Sequence, residues 1–358
     1  FDVTGIFMKN WSGFEGEECQ WQEDRLWAKR AAVKLNIPFL AWDFEKDYKN
    51  KVVDYFFSEY QAGRTPNPDV MCNKKIKFGL FFERAMREGA DFVATGHHAR
   101  VVTMNHSPKG KITTLSQPYH YQLLKGIDPT KDQSYFLWTL TQKQLAKTLM
   151  PVGEYKKEQI RQIAKEANLP NAFRPDSQGI CFIGEVELFN FLKKKLPIKK
   201  GKIIGPKNKV LGSHEGVWFY TEGQRQGLEV AESEPMYVVK KDIKTNTLLV
   251  GPKNDKRLLT KQFLATDFNF INPQIEAPIK AGRKIKVEAV LRYHHPSVPT
   301  EIIKKDKNIL EVKLSKPAWA ITPGQSVVFY NCAKQFQDSD RKEETYNNTE
   351  LLGGAIIQ

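Results

Sequence analysis

Over the first hundred residues, short apolar runs alternate with stretches whose apolar positions recur three or four apart. Residues 2–8 (DVTGIFM) read as a short buried strand, and 23–35 as a helix with Trp27, Ala31 and Leu35 on one face. Asn36 and Pro38 end that helix and lead into a second strand at 37–43; helices follow at 52–61 and 76–87, and a third strand at 90–95 runs into Gly96. Strands separated by helices at this spacing predict a doubly wound α/β fold around a parallel sheet. Such sheets bind ligands beyond the carboxyl ends of their strands, where Asn10 and Gly96 fall.

The pattern then changes. Residues 104–118 are polar and punctuated by Gly and Pro, which reads as a surface excursion. From 132 to about 196 the periodicity is helical, clearest at 156–167 and 186–196. Beyond that, β-rich runs at 210–211, 217–220, 236–239, 248–250, 285–291, 309–314 and 326–330 are separated by turn residues, which predicts one or two small antiparallel domains. Residues 333–350 read as a polar loop before a last strand near 355–357.

Charge narrows the partners. Fifty-five basic against 41 acidic side chains leave +14, with a pI near 9.4, which favours a polyanion and puts nucleic acid ahead of a membrane surface. No apolar run approaches the roughly 20 residues needed to span a bilayer. Four cysteines in 358 residues make no disulfide framework, and no secretory segment precedes them, so a reducing, cytoplasmic compartment is expected.

Two segments stand out chemically. In residues 63–73 (GRTPNPDVMCN), prolines 66 and 68 stiffen a loop, and Asp69 lies three residues before Cys72. A helix beginning near Cys72 would bring its thiol to the positive end of the helix dipole and favour thiolate; Asp69 is suited either to capping that helix or to handling protons. The plainer alternative is a capping Asp with a buried Cys. In residues 173–184 (FRPDSQGICFIG) a polar loop runs directly into Cys181, with glycines on both sides; a core cysteine in a strand is the alternative. Cys72 and Cys181 fit no zinc spacing, and Cys19 and Cys332 lie in polar surroundings without a supporting pattern. His97 and His98 follow the third strand, His294 and His295 suggest surface recognition, and Asp132 is a plausible cap for the segment that follows Lys131. The lysines at 193–195 and 199–202 suit phosphates or a solvated face. The aromatic and basic side chains of 218–225 suit either RNA stacking or strand packing.

Together these segments resemble the tRNA-specific 2-thiouridylases. FMKNW (7–11), GRTPNPDxxCN (63–73), ATGHHAR (94–100), KDQSYFL (131–137), SQGICFIG (177–184) and LGSHEGVWFYTEGQR (211–225) match in the family's order across nearly the whole chain. The resemblance implies an adenine-nucleotide α-hydrolase-like α/β domain at 1–140, a helical part at 141–200 that completes it and carries the second cysteine, a small central β-rich domain at 201–260 and a C-terminal antiparallel β-barrel at 261–358. It implies ATP-dependent transfer of sulfur, through an adenylated intermediate, to C2 of the wobble uridine of tRNAs for Lys, Glu and Gln. ATP with Mg2+ is the implied cofactor, a persulfide sulfur-carrier protein the implied donor, and no resident metal is implied.

The implied roles fall on particular residues. Cys72 is the nucleophile and Cys181 carries the persulfide, the two being able to close a disulfide. Asn67, Pro68 and Asp69 contact the target base, with Asp69 also moving protons. Met8 and Gly96 contact ATP, and His97, Lys131, Asp132, Gln133, Arg292, Tyr293 and Gln325 contact tRNA. The family's Gly/Ser-rich SGGxDS loop has no counterpart in these residues, and Phe1 corresponds to the region just after it, so an N-terminally incomplete record of a complete enzyme is expected. The competing readings are a tRNA-binding protein without the ATP site and another ATP-dependent ligase or amidotransferase of the same fold.

Overall fold

A computed structural model describes residues 1–14, 21–104, 120–175, 188–332 and 346–358. Cys19, Cys181 and most of the two polar excursions lie outside the described residues. The chain opens with β1 (Gly5–Lys9), the helix Trp21–Lys34 and β2 (Phe39–Asp43); β1 and β2 run parallel, Gly5 opposite Phe39 and Lys9 opposite Asp43. Glu23 and Asp24 in the first turn of that helix and Lys34 in the last complement its dipole.

Two long helices follow, and each has an unusual middle. Residues 45–61 are α-helical at Glu45–Tyr48, π-helical at Lys49–Val53 and α-helical again at Asp54–Gln61. Residues 68–87 repeat the arrangement, with α-helix at Pro68–Cys72 and Phe82–Arg87 and a π-helical stretch at Asn73–Phe81 between them. Phe56, Phe57 and Tyr60 of the first join Trp42, Cys72, Ile76 and Phe82 in one apolar core. Then come β3 (Val93–Ala94), the antiparallel hairpin of β4 (Ala99–Met104) and β5 (His120–Lys125), and β6 (Thr148–Leu149), which pairs parallel to β3. The expected parallel sheet is thus present as two parallel pairs among the described residues.

The central part is a four-stranded sheet in the order β8-β7-β10-β9, built from β7 (Gly201–Ile204), β8 (Val210–His214), β9 (Met236–Asp242) and β10 (Thr247–Pro252). The expected strand at 217–220 is instead a 3-10 turn, Val217–Phe219. Alternation fails there because Trp218, Phe219 and Tyr220 are all buried, and Gly216 (φ +153°) starts the turn where a Cβ would strike the Trp218 ring.

The last part is a closed six-stranded antiparallel barrel of β11 (Leu259–Phe270), β12 (Ile285–Val290), β13 (Val298–Asp306), β14 (Ile309–Trp319), β15 (Ser326–Tyr330) and β16 (Glu350–Ile357), with β16 returning to β11. Its interior holds Val287, Ala289, Leu310, Val312, Val327, Phe329 and Ala355, all fully buried; each large apolar side chain so placed contributes about 1.5–3 kcal/mol. The barrel does not stand apart from the α/β part. β5 adds to the edge of β16, Leu123 opposite Leu351, and Trp138 and Tyr135 donate to the Ser326 hydroxyl and carbonyl at 3.0 and 2.8 Å.

Candidate active site

The loop 63–67 delivers the chain into a helix whose first residue is Pro68, an ideal N1 residue because it has no N–H to leave unpaired. Asn67 caps it, its Oδ1 accepting from Val70 N at 3.2 Å. The expected start near Cys72 and the capping role for Asp69 are therefore corrected. Asp69 stands in the first turn, and Cys72 lies deeper, 1% exposed. Burial pushes the Cys72 thiol up; the charge of Lys77 and a hydrogen bond from Tyr48 act against this, and Asp69 acts with it. The thiolate-favouring helix end expected from the sequence is outweighed by desolvation.

The π-helical stretch is what brings Lys77 to bear. Its wider turn puts residues four and five apart on one side of the helix, so Lys77 follows Cys72 on the same side instead of turning away. Lys77 Nζ lies 3.5 Å from His97 Nε2, and His97 Nδ1 lies 2.9 Å from the Thr95 hydroxyl. His97 is buried, and burial first, then the charges of Lys77 and His98, holds it well below the usual histidine range, hence neutral at pH 7. Lys77, Thr95 and Tyr48 were not singled out from the sequence; α-helical periodicity puts Lys77 on the wrong face.

Three motifs far apart in sequence meet around this helix. Asn73 Nδ2 donates to Phe136 O at 3.1 Å, and Gln133 is joined to His98 twice, its N–H donating to His98 O and its Oε1 accepting from His98 N. Gln325 Nε2 donates to Thr65 O and Pro66 O at 2.8 and 3.3 Å. Tyr293 packs against Phe136 with its ring tilted by 52° and its centroid 4.4 Å away, and burial together with the charges of Asp132 and Asp69 pushes its phenol up to about 12. Asp69, Cys72, His97, Gln133, Tyr293 and Gln325 thus surround one region.

Other candidates are used differently. Asp132 is half-buried and accepts from the N–H groups of Gly126 and Ser134 at 3.0 and 3.1 Å, shaping the turn beside Lys131. Arg292 turns inward, Nη2 donating to the carbonyls of Glu222 and Ala320 and to the Thr322 hydroxyl. Trp218, Phe219 and Tyr220 pack in the core with no face left for a base, whereas Arg225 is exposed. Met8 lies on β1 opposite Trp42, and a Cβ on Gly96 would meet nothing within 4 Å, so both border the open carboxyl end of the parallel strands. A cavity of about 610 Å³ beyond β1 and β2 is lined by Trp11, Gly13, Phe14, Asp43, Glu45, Lys46 and Lys49. No helix among the described residues is long and apolar enough to cross a membrane.

An α/β unit with parallel strand pairs, a small central sheet and a closed β-barrel, meeting around a buried cysteine, define a three-part class. Residues 1–185 match the tRNA methyl transferase HUP domain, 189–252 the tRNA methyl transferase PRC-barrel domain and 260–336 the aminomethyltransferase beta-barrel domain. The chain is 43% identical over 360 residues to the tRNA-specific 2-thiouridylase MnmA of Bacillus cytotoxicus, covering 100% of this chain and 88% of the relative. It is 44% identical over 356 residues to that of Geobacillus thermodenitrificans (98% and 91% covered) and 41% over 364 to that of Enterococcus faecalis (100% and 88%). The chain belongs to the tRNA-specific 2-thiouridylase family.

Proposed function

We propose that this chain replaces O2 of the wobble uridine of tRNA by sulfur, with ATP and Mg2+ as cofactors and a persulfide carrier protein as sulfur donor. The observation that supports this best is the placement of Asp69 and Cys72 on one short helix, beside His97 and facing Tyr293, at the end of the parallel strands. Family membership supplies the substrate class, and tRNAs for Lys, Glu and Gln are the proposed acceptors.

The residues present fit an adenosine. Asn10 Oδ1 is buried and has no hydrogen-bond partner among the described residues, Gly96 opens onto free space, and Met8 borders both from β1. When bound, ATP supplies the group that turns the uridine oxygen into a leaving group. The protein's own residues then act on the base. The uridine leaves its stack to enter the site, as enzymes that modify bases require. Asn67, Pro68 and Asp69 hold it, Asp69 moving the proton. Sulfur held as a persulfide on Cys181 bonds to C2 as the activated oxygen departs, and Cys72 attacks the inner sulfur of that persulfide, releasing the outer sulfur and leaving a Cys72–Cys181 disulfide. In the resting site a neutral, shielded Cys72 thiol protects against unproductive oxidation, and Lys77 is placed to stabilise the thiolate when the cysteine is called on. Lys131, Gln133 and Tyr293 form the tRNA-facing rim of this arrangement, with His97, Asp132, Arg292 and Gln325 supporting it from beneath.

The test is a thiolation assay on the 358-residue chain with unmodified tRNA, ATP–magnesium and a persulfide-loaded sulfur-carrier protein as donor, with a thiol reductant to reopen the cysteine disulfide, read by retardation on a mercury-containing gel. A retarded band that disappears in Cys72→Ser, with tRNA affinity nearly unchanged, is the expected result. Full activity of Cys72→Ser removes the cysteine from the chemistry. Tight tRNA binding by the unsubstituted chain without any thiolation favours the non-catalytic binder.

A further inference from the structure

The loop that carries Asn67 is gripped by both other domains. Thr65 is buried; its N–H donates to Pro323 O of the barrel at 2.8 Å, and its hydroxyl lies 3.1 Å from that of Thr221 in the central part. Gln325 holds the carbonyls of Thr65 and Pro66 from the barrel side. Arg292 closes the circuit by tying Glu222 O of the central turn to Ala320 O and Thr322 of the barrel loop. The approach is so close that side chains are excluded on both sides. Gly324 (φ +91°) would place a Cβ 2.9 Å from Thr65 N and O, and Gly63 (φ +79°) would place one 2.5 Å from Ile243 Cδ1. Such positions admit only glycine without a shift of the neighbouring backbone or side chain.

The loop is also stiff. Prolines at 66 and 68 fix two backbone torsions, and Asn67 between them is committed to capping the helix. A displacement at Thr65 is therefore passed to Asp69 and Cys72 rather than absorbed. We propose that Thr65, Thr221 and Gln325 are positioning residues, a latch joining three domains that sets the place of the Asn67–Asp69 segment before any tRNA arrives. The catalytic consequence rests on the function proposed above; the latch itself does not. In this arrangement the central sheet and the barrel are parts of the base-holding site as well as platforms for RNA.

Thr65→Val and Thr221→Val each remove one hydroxyl of the pair at nearly constant shape, and Thr65→Ser and Thr221→Ser keep it. Amide hydrogen exchange of residues 64–72 and mass-spectrometric labelling of Cys72 are followed in the full chain, with the exposed Cys332 as internal control. The expected result is that either Val variant exchanges and labels about five- to thirty-fold faster in this segment, Cys332 being unaffected. The double Val variant is no worse than either single one, and the Ser variants behave as the parent. With tRNA, kcat falls while KM and tRNA affinity hold, and Gln325→Leu follows the same split. Unchanged exchange at 64–72 overturns the latch, as does a loss confined to tRNA affinity. If the unsubstituted chain shows no thiolation, the proposed activity fails, and the exchange comparison still decides the latch.

Discussion

Two five-residue strands of this molecule share an apolar character and meet opposite fates. In β15 (SVVFY) all five residues are buried; in β2 (FLAWD) only Trp42 is. β15 has a hydrogen-bonded neighbour on each side, its Val327 and Phe329 point into the barrel, and Val328 and Tyr330 pack against the segment around Tyr135 and Trp138. β2 has β1 as its partner among the described residues, and Leu40 is 45% exposed. Apolar content decides that a strand forms; burial depends on what the rest of the chain lays over it. The barrel's own topology covers both faces of β15. The α/β half derives its core instead from aromatic rings on helices, with Phe57 stacked on Phe191 at 5.3 Å between centroids.

The difference is open to direct measurement. Phe329→Ala, emptying a fully buried site stacked on Phe270, is expected to cost about 3–5 kcal/mol in denaturant unfolding. A cost below about 1 kcal/mol would show the barrel interior to be loosely packed. Next in size is an acid effect centred on the α/β half. His97 is held neutral when folded, so below pH 6.5 the unfolded chain takes up a proton that the folded chain refuses. Its contribution is present above pH 6.5 and is lost as pH falls towards the depressed native value, at up to about 1.4 kcal/mol per pH unit. His97→Gln should flatten this slope, and a slope left intact would assign it to other groups. Smallest is Leu40→Ala on the open face of β2, expected to change stability by no more than about 0.5 kcal/mol; a cost like that of Phe329 would mean that this face is covered in solution.

Local signals revealed most of the elements. The helix Lys157–Glu166 and the strand Ser326–Tyr330 are nearly where periodicity puts them, because each lies within one regular pattern. The long strand β11 went unread because polar residues interrupt its apolar positions, and β13 because lysines follow its isoleucines. The site was legible as a set of residues and illegible as a geometry. Asp69 and Cys72 announce themselves by spacing. That Asn67 caps, that Lys77 turns back towards Cys72, and that Thr65 meets Thr221 depend on a π-helical turn and on contacts between distant segments, which no local pattern encodes.

The seam between β5 and β16 has a kinetic consequence. It is fastened by Gln122 and Glu350, partners 228 positions apart, and Glu350 in turn accepts from Asn272 at 2.7 Å. Closing so long a loop adds little entropy cost beyond that of a shorter one, but pairings of such sequence separation form slowly, and this one is expected to follow the registration of the barrel strands. Until then the outer edge of the β4–β5 hairpin presents unsatisfied backbone groups beside Leu123 and Leu124, a template for pairing with another chain. Lesions that slow barrel closure should therefore surface as aggregation nucleated in the α/β half, far in sequence from the altered residue.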